Sequence, residues 1–177
     1  VAYRLSLLAN NTSLVTCLER VAEMAQWGVD RRHLGVACLT FGQTQIAMII
    51  EVKPHVDGFE VKKAWCAIDC GIAVNPNIVK AQVEGGLIDG LSASMFGRLE
   101  ISGGAVQQSN FPDYPLARMG DSPTAIDVDI VASMRAPSGV GEAALPAVAP
   151  ALANALFHMT GQRIRKLPFC QALESVL

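Results

Sequence analysis

"LGVACLTFGQTQIAMIIEVKPHVDGFEVKKAWCAID", residues Leu34 to Asp69, contains three strand-like runs in succession. They are "LGVACLTF", "TQIAMIIEV" and "FEVKKAWCAID", each rich in β-branched, aromatic and other apolar residues. Gly42-Gln43 marks a hairpin turn between the first two, and "KPHVDG" a looser turn before the third. The stretch predicts a three-stranded antiparallel meander, and the rest of the chain must supply what covers it.

Upstream, Thr12 or Ser13 opens a helix through "LVTCLERVAEMAQWG". Leu14, Val15, Leu18, Val21, Ala22 and Ala25 make one apolar face, and Gly28 stops it. Residues 1–33 therefore read as an N-terminal helix and linker. Downstream, Asn75-Pro76 starts a second helix over about Asn77 to Phe96, because proline suits a first helical position. Val83, Leu87, Leu91 and Met95 recur every fourth residue and face a core. Gln82, Gly86, Gly90 and Ala93 form a second stripe almost bare of side chains. A mid-helix glycine costs about 1 kcal/mol relative to alanine, so Gly85, Gly86 and Gly90 together need a reason. One is close packing of a neighbouring element. The other is a large ligand lying against the helix, with Gln82 as its hydrogen-bonding handle.

A hairpin around Gly103-Gly104, a proline-punctuated loop "FPDYPLARMGDSP" and an alternating strand "AIDVDIVAS" follow. An apolar helix and the basic run "RIRK" close the pattern. Long helices packed on mostly antiparallel strands give an α+β layered domain.

A net charge of −2 over 177 residues, with half of them hydrophobic, describes a core-rich globular chain. It argues against nucleic acid as a partner, since phosphate contacts need clustered Lys and Arg. Arg31-Arg32, Lys62-Lys63 and "RIRK" are too short for that and read as solvated surface. The five cysteines, Cys17, Cys38, Cys66, Cys70 and Cys170, lack the dense, even spacing of a disulfide scaffold. On a strand, Cys66 and Cys70 would share one face about 13 Å apart, so they read as reduced thiols. That favours the cytoplasm and leaves a periplasmic location open. No run reaches the eighteen or so apolar residues of a membrane span. The opening "VAYRLSLLAN" lacks a signal-peptide pattern and reads as a chain entered in its middle.

The chemistry gathers at "SGVGEAALPAVAPALANALF", Ser138 to Phe157, where Glu142 is the one charge before His158. An acid in the first turn of a helix stabilises it by several tenths of a kcal/mol, and this is the structural reading. The catalytic reading is a general base. Gly141 and Ala143 leave the carboxylate accessible, and Pro146 and Pro150 stiffen the entry to the helix. The amides before a helix also make a seat for an anion. His33, His55 and His158 are scattered, with no nucleophile elbow. No spaced metal-ligand set and no phosphate-binding glycine fingerprint occurs.

Four motifs in order, "AIDCGIAVNPNIVKAQVEGGLIDGLSASM", "SNFPDYPLARM", "GVGEAALPAVAPALANALF" and "RIRKLP", resemble the molybdenum hydroxylases, the xanthine dehydrogenase and aldehyde oxidase family. The likeness is to the C-terminal molybdopterin-binding part of a large subunit of the bacterial isoquinoline 1-oxidoreductase beta type, and residues 34–177 carry it. It implies molybdopterin, in its cytosine dinucleotide form with molybdenum, and iron–sulfur clusters on a small partner subunit. It implies that Glu142 is the base that deprotonates a metal-bound hydroxyl, which attacks an N-heterocycle or aldehyde while hydride leaves to a sulfido ligand. The inserted oxygen comes from water. Gln82 matches a glutamine that hydrogen-bonds the pterin, and the backbone of Gly139, Val140 and Gly141 is expected to approach the cofactor. No protein side chain is expected to ligate the metal. A missing N-terminal part of the large subunit would supply the rest of the site, so the segment alone is expected to be inactive. The competing expectation is a non-catalytic module for subunit assembly.

Overall fold

In the computed structural model, which describes residues 1–29, 32–56 and 58–170, the meander is present and forms most of one sheet. Asp30, Arg31, Asp57 and the tail 171–177 lie outside the described residues, and with them part of one basic pair and of the "KPHVDG" turn. The strands are β1 (His33–Phe41), β2 (Thr44–His55) and β3 (Gly58–Asp69), each antiparallel to the next. The second turn is tighter than its sequence suggests, because β2 and β3 pair out to His55 and Gly58. Pro54 is tolerated within β2 because the β1 partnership ends at Val52, so no neighbour on that side asks for its N–H.

β2 is buried without a break from Thr44 to Val52. Such a run needs cover on both faces, and both are covered. Alternation sorts the side chains. Ile46, Met48, Ile50, Ala64, Cys66 and Ile68 enter one core, and Ala47, Ile49, Trp65 and Ala67 the other. A short helix α1 (Ala2–Leu7) and the helix α2 (Thr12–Met24) cover the second face with Leu5, Cys17, Leu18 and Val21. The α2 cap is Asn11, whose side chain accepts from the Leu14 N–H, one residue before the expected start.

The larger core lies under α3 (Pro76–Phe96) and α4 (Leu145–Thr160). Asn75 caps α3 by accepting from the Asn77 and Ile78 amides, and Val83, Leu87, Leu91 and Met95 are buried as their spacing predicts. Gly35 of β1 explains how closely α4 lies on the sheet. A Cβ there would stand 2.1 Å from the Ala151 carbonyl oxygen and the Ala155 nitrogen. Between α3 and the last strand, β4 (Ile101–Ser102) and β5 (Ala105–Val106) form the small hairpin at Gly103-Gly104.

β6 (Ala125–Ile130) joins the sheet beside β3, and it runs parallel to it. The α3 segment is thus the crossover that a parallel pair requires. Along β6, Ile126, Val128 and Ile130 pack on the larger core. On the alternate positions, Asp127 meets Lys63 at 2.7 Å and Asp129 meets Arg20 of α2 at 3.0 Å. The result is an α+β domain with a mixed sheet between two helical layers.

Candidate functional site

The glycine stripe of α3 is the seat of α4. A Cβ on Gly90 would stand 2.6 Å from Val148 Cγ2 and 2.9 Å from the Leu145 carbonyl oxygen. One turn earlier, a Cβ on Gly86 would stand 3.3 Å from that of Ala144. Helix packing therefore accounts for these two glycines, and the ligand reading of the stripe is corrected there. Gly85 is different, because a Cβ there would meet nothing within 4 Å. One further turn along the stripe is Gln82, whose Nε2 would lie 3.3 Å from a Cβ on Gly141. Residues four apart share a helix face, so the packing that seats α4 also brings its approach loop to Gln82.

That loop is held from several sides. The Ser138 N–H donates to the Cys70 carbonyl at 2.9 Å. Thr44, fully buried at the start of β2, contacts Ser138 Oγ at 2.7 Å and donates to the Gly139 carbonyl at 2.7 Å. Upstream, Arg135 Nη2 pairs with Asp69 Oδ1 at 2.8 Å, and its Nη1 donates to the Gln43 carbonyl at 3.0 Å. Asp69 Oδ1 also accepts from the Gly71 N–H. Gly71, with φ at +75°, leaves the Ala136 carbonyl room that any Cβ would take, at 2.1 Å. Burial opposes ionisation of Asp69. The Gly71 amide, Arg135 and Ser13 outweigh it, and its carboxyl titrates below the usual carboxylate range.

The residues singled out in the sequence occupy different situations. Gln82, Gly139, Gly141 and Glu142 are exposed, while Val140 is half-buried and its side chain packs on the larger core. Val140 can thus offer only its backbone. Among the described residues, the N–H groups of Gly139, Val140 and Gly141 have no protein acceptor. Glu142 is not a first-turn acid, since α4 begins at Leu145 with Ala144 as its cap and no acid follows in its first turn. The helix-start reading of this carboxylate therefore loses its geometry. Immediately after it, Ala143 and Ala144 are fully buried, so an exposed acid stands between two anchored segments.

Thr44, Ser138, Asp69 and Arg135 were not singled out by sequence reasoning. Their contacts join segments that are far apart in the chain. Three surface clefts of about 580, 530 and 410 Å³ lie elsewhere, and none is lined by Gln82 or by residues 138–142. Gln82, Gly139, Gly141 and Glu142 themselves lie at the surface. Two of the thiols are poor nucleophiles: burial pushes that of Cys17 up to about 12 and raises that of Cys66 as well. Exposed His158 stands edge-on to His33, with ring centroids 5.6 Å apart. Among the described residues no three His, Cys, Asp or Glu side chains converge as a metal site, and no helix is long and apolar enough to cross a membrane.

Comparison with known proteins agrees with the motifs. The family model described as "Molybdopterin cofactor-binding domain" matches residues 20–123. Isoquinoline 1-oxidoreductase subunit beta of Brevundimonas diminuta is 38% identical over 98% of this chain and 23% of its own length. A membrane-bound aldehyde dehydrogenase [pyrroloquinoline-quinone] of Gluconacetobacter polyoxogenes is 36% identical over 60% of this chain and 14% of its own. The chain thus spans less than a quarter of either relative. Among solved structures, quinoline 2-oxidoreductase from Pseudomonas putida 86 shares the fold with a TM-score of 0.64 at 19% identity. That match covers 75% of this chain and 18% of the other.

Proposed function

The chain belongs to the molybdopterin cofactor-binding domain family of the molybdenum hydroxylases, and from that premise we propose that it forms one wall of a molybdopterin site and supplies its general base. The observation that carries this reading is the convergence of Gln82 on Gly141 beside three backbone N–H groups without protein acceptors. A large anionic cofactor suits such a surface. The open space at Gly139 and Gly85 lets its atoms approach the backbone, and backbone N–H groups without a protein acceptor are suited to its oxygens. The Gln82 side-chain amide would hold the pterin, and the N–H groups of Gly139, Val140 and Gly141 its polar oxygens. The name of the aldehyde dehydrogenase relative gives pyrroloquinoline quinone instead. The pterin is preferred because the matching family model is a molybdopterin cofactor-binding domain, and its match over residues 20–123 includes Gln82 and Gly85.

When bound, the molybdenum cofactor supplies the two-electron redox chemistry of hydroxylation. This chain's part is the proton. A Glu142 carboxylate oxygen would accept it from a water-derived hydroxyl, and the cofactor would take up the electron pair of the substrate C–H bond that breaks. The exposed carboxylate has no ion-pair partner among the described residues, which leaves both oxygens available. Its anchored flanks hold it in one place, as a base needs. The substrate class proposed is an N-heterocycle or an aldehyde, by analogy with the names of the relatives. We further infer that the cofactor is the cytosine dinucleotide form, that a small subunit carries the iron–sulfur clusters, and that the preceding part of the large subunit completes the pocket. On this reading the 177-residue segment is inactive by itself.

The test is Glu142→Gln in the complete enzyme, with molybdenum and pterin content measured beside turnover of isoquinoline, quinoline and benzaldehyde. Cofactor content is expected to be unchanged and turnover to fall by at least about 1,000-fold, within the range seen for essential proton-transfer groups. Equal turnover in both proteins would leave the segment an assembly module.

A further inference from the structure

Among the described residues, Thr44 is the one buried hydroxyl whose hydrogen bonds both go to the loop that presents Glu142. Its side chain is fully buried near the Gly42-Gln43 turn, where valine would fit the strand equally well by shape. Its oxygen reaches Ser138 Oγ and the Gly139 carbonyl, each at 2.7 Å, across 94 and 95 residues of sequence. The Gly139 carbonyl can only accept, so the Thr44 proton can serve it while Ser138 donates to Thr44. In the alternative order Thr44 donates to Ser138, which donates to the Cys70 carbonyl at 3.1 Å. Either order ties the loop to the ends of two sheet strands.

We propose that Thr44, with Ser138, is a positioning residue that sets where the Glu142 carboxylate stands. The proposal rests on reading Glu142 as the base. Its geometry is a short bridge between two fixed ends. Gly139 is fastened by Thr44 on one side, and Ala143 and Ala144 are locked into the core on the other. Between them lie Val140, half-buried with its side chain against the larger core, and the exposed Gly141 and Glu142. Three residues have few ways to join two fixed points, so movement of the upstream end is passed to the carboxylate. A displacement of about 1 Å at a reacting group is enough to cost up to 100-fold in rate. The Arg135–Asp69 pair, Gly71 and the Ser138 bonds to the Cys70 carbonyl fasten the preceding turn of chain, so loss of Thr44 alone loosens the Gly139 end rather than the whole loop.

The experiment uses the complete, cofactor-loaded enzyme with Thr44→Val, Thr44→Ser, Ser138→Ala and Glu142→Gln. Measured together are molybdenum and pterin content, kcat and KM on the best substrate of the panel above, and hydrogen–deuterium exchange over residues 139–142. Thr44→Val is expected to lower kcat about tenfold, with KM and cofactor content unchanged and faster exchange confined to the loop. Thr44→Ser, which keeps the hydroxyl, restores both values. Wild-type exchange and kcat in Thr44→Val would overturn the proposal, as would a tenfold loss that Thr44→Ser does not rescue. If Thr44→Val fails to fold, Ser138→Ala decides, with about threefold lower kcat and faster loop exchange expected and wild-type values fatal. Glu142→Gln separates the two readings. Full turnover there removes the base and the positioning role with it, whereas an inactive Glu142→Gln beside a wild-type Thr44→Val removes the positioning role alone.

Discussion

Asp69 shows what one buried carboxylate does for the candidate site. It ends β3, accepts from the Gly71 amide and pairs with Arg135, so one charge fixes the turn after β3 and joins it to a distant segment of chain. Its folded-state carboxyl titrates below its ordinary range because these partners outweigh burial. A depressed folded value means that the unfolded chain binds the proton more tightly. The stability this gives is fully present above the ordinary carboxylate range and is lost as pH falls through the folded value. Urea unfolding of wild type and Asp69→Asn between about pH 3 and 7 checks the sign. Wild type should lose stability steeply at the acid end, and the variant should show a flatter profile there. At neutral pH the variant should be about 2 kcal/mol less stable, below the cost of breaking a fully buried pair because Arg135 is partly exposed. Parallel profiles would mean that Asp69 carries no linkage.

At the scale of elements, the glycines of α3 separate packing from ligand. Gly90→Ala gains helix propensity but places its methyl against Val148 and the Leu145 carbonyl, so it should cost about 2 kcal/mol net, as overpacking does. Gly85→Ala meets open space and should stabilise the chain by about 1 kcal/mol, raising Tm by about 2–4 °C. In the complete enzyme the same Gly85 methyl should reduce cofactor content if the pterin lies against it. Thermal melts and molybdenum assays check the two halves separately. Much of this element was legible in the sequence. Asn75-Pro76 gave the start of α3, and the four-residue row Val83 to Met95 gave its buried face. The ambiguity of the stripe was real, because bare positions record that something is close without recording what. Other features had no local signature. Alternation in "AIDVDIVAS" predicted a strand but carried no direction, and its parallel pairing depends on where the α3 crossover returns. That α2 lies across the sheet from α3 and α4 follows from β2, whose unbroken apolar run needed cover on both faces. The tie from Thr44 to Ser138 was beyond reach, since a threonine near a turn looks the same whatever it touches at a distance of 94 residues.

For the whole molecule, the long crossover between α3 and β6 is where this segment differs most from a self-sufficient domain. Ile101, Phe111 and Met119 are 74%, 91% and 93% exposed. The Ala117 amide is held to α3 by Ser92 Oγ at 3.0 Å, and the residues around it otherwise face solvent. Single exposed apolar residues are ordinary, but several large ones along one crossover mark a surface that is usually covered. The relatives on either side of this match are more than four times as long as the part aligned, so the proposed cover is the preceding part of the same large subunit. Trypsin tests this at the Arg118–Met119 bond, where both residues are exposed. The isolated 177-residue chain should be cut there first, leaving the sheet and its helices intact. The complete enzyme should resist at the same bond by at least about tenfold, because proteolysis follows the population of the accessible form. Equal cutting rates would mean that the crossover stays in solvent in the finished enzyme. Its apolar residues would then need another occupant, while the site built on Gln82, the Gly139–Gly141 loop and Glu142 would stand unaffected.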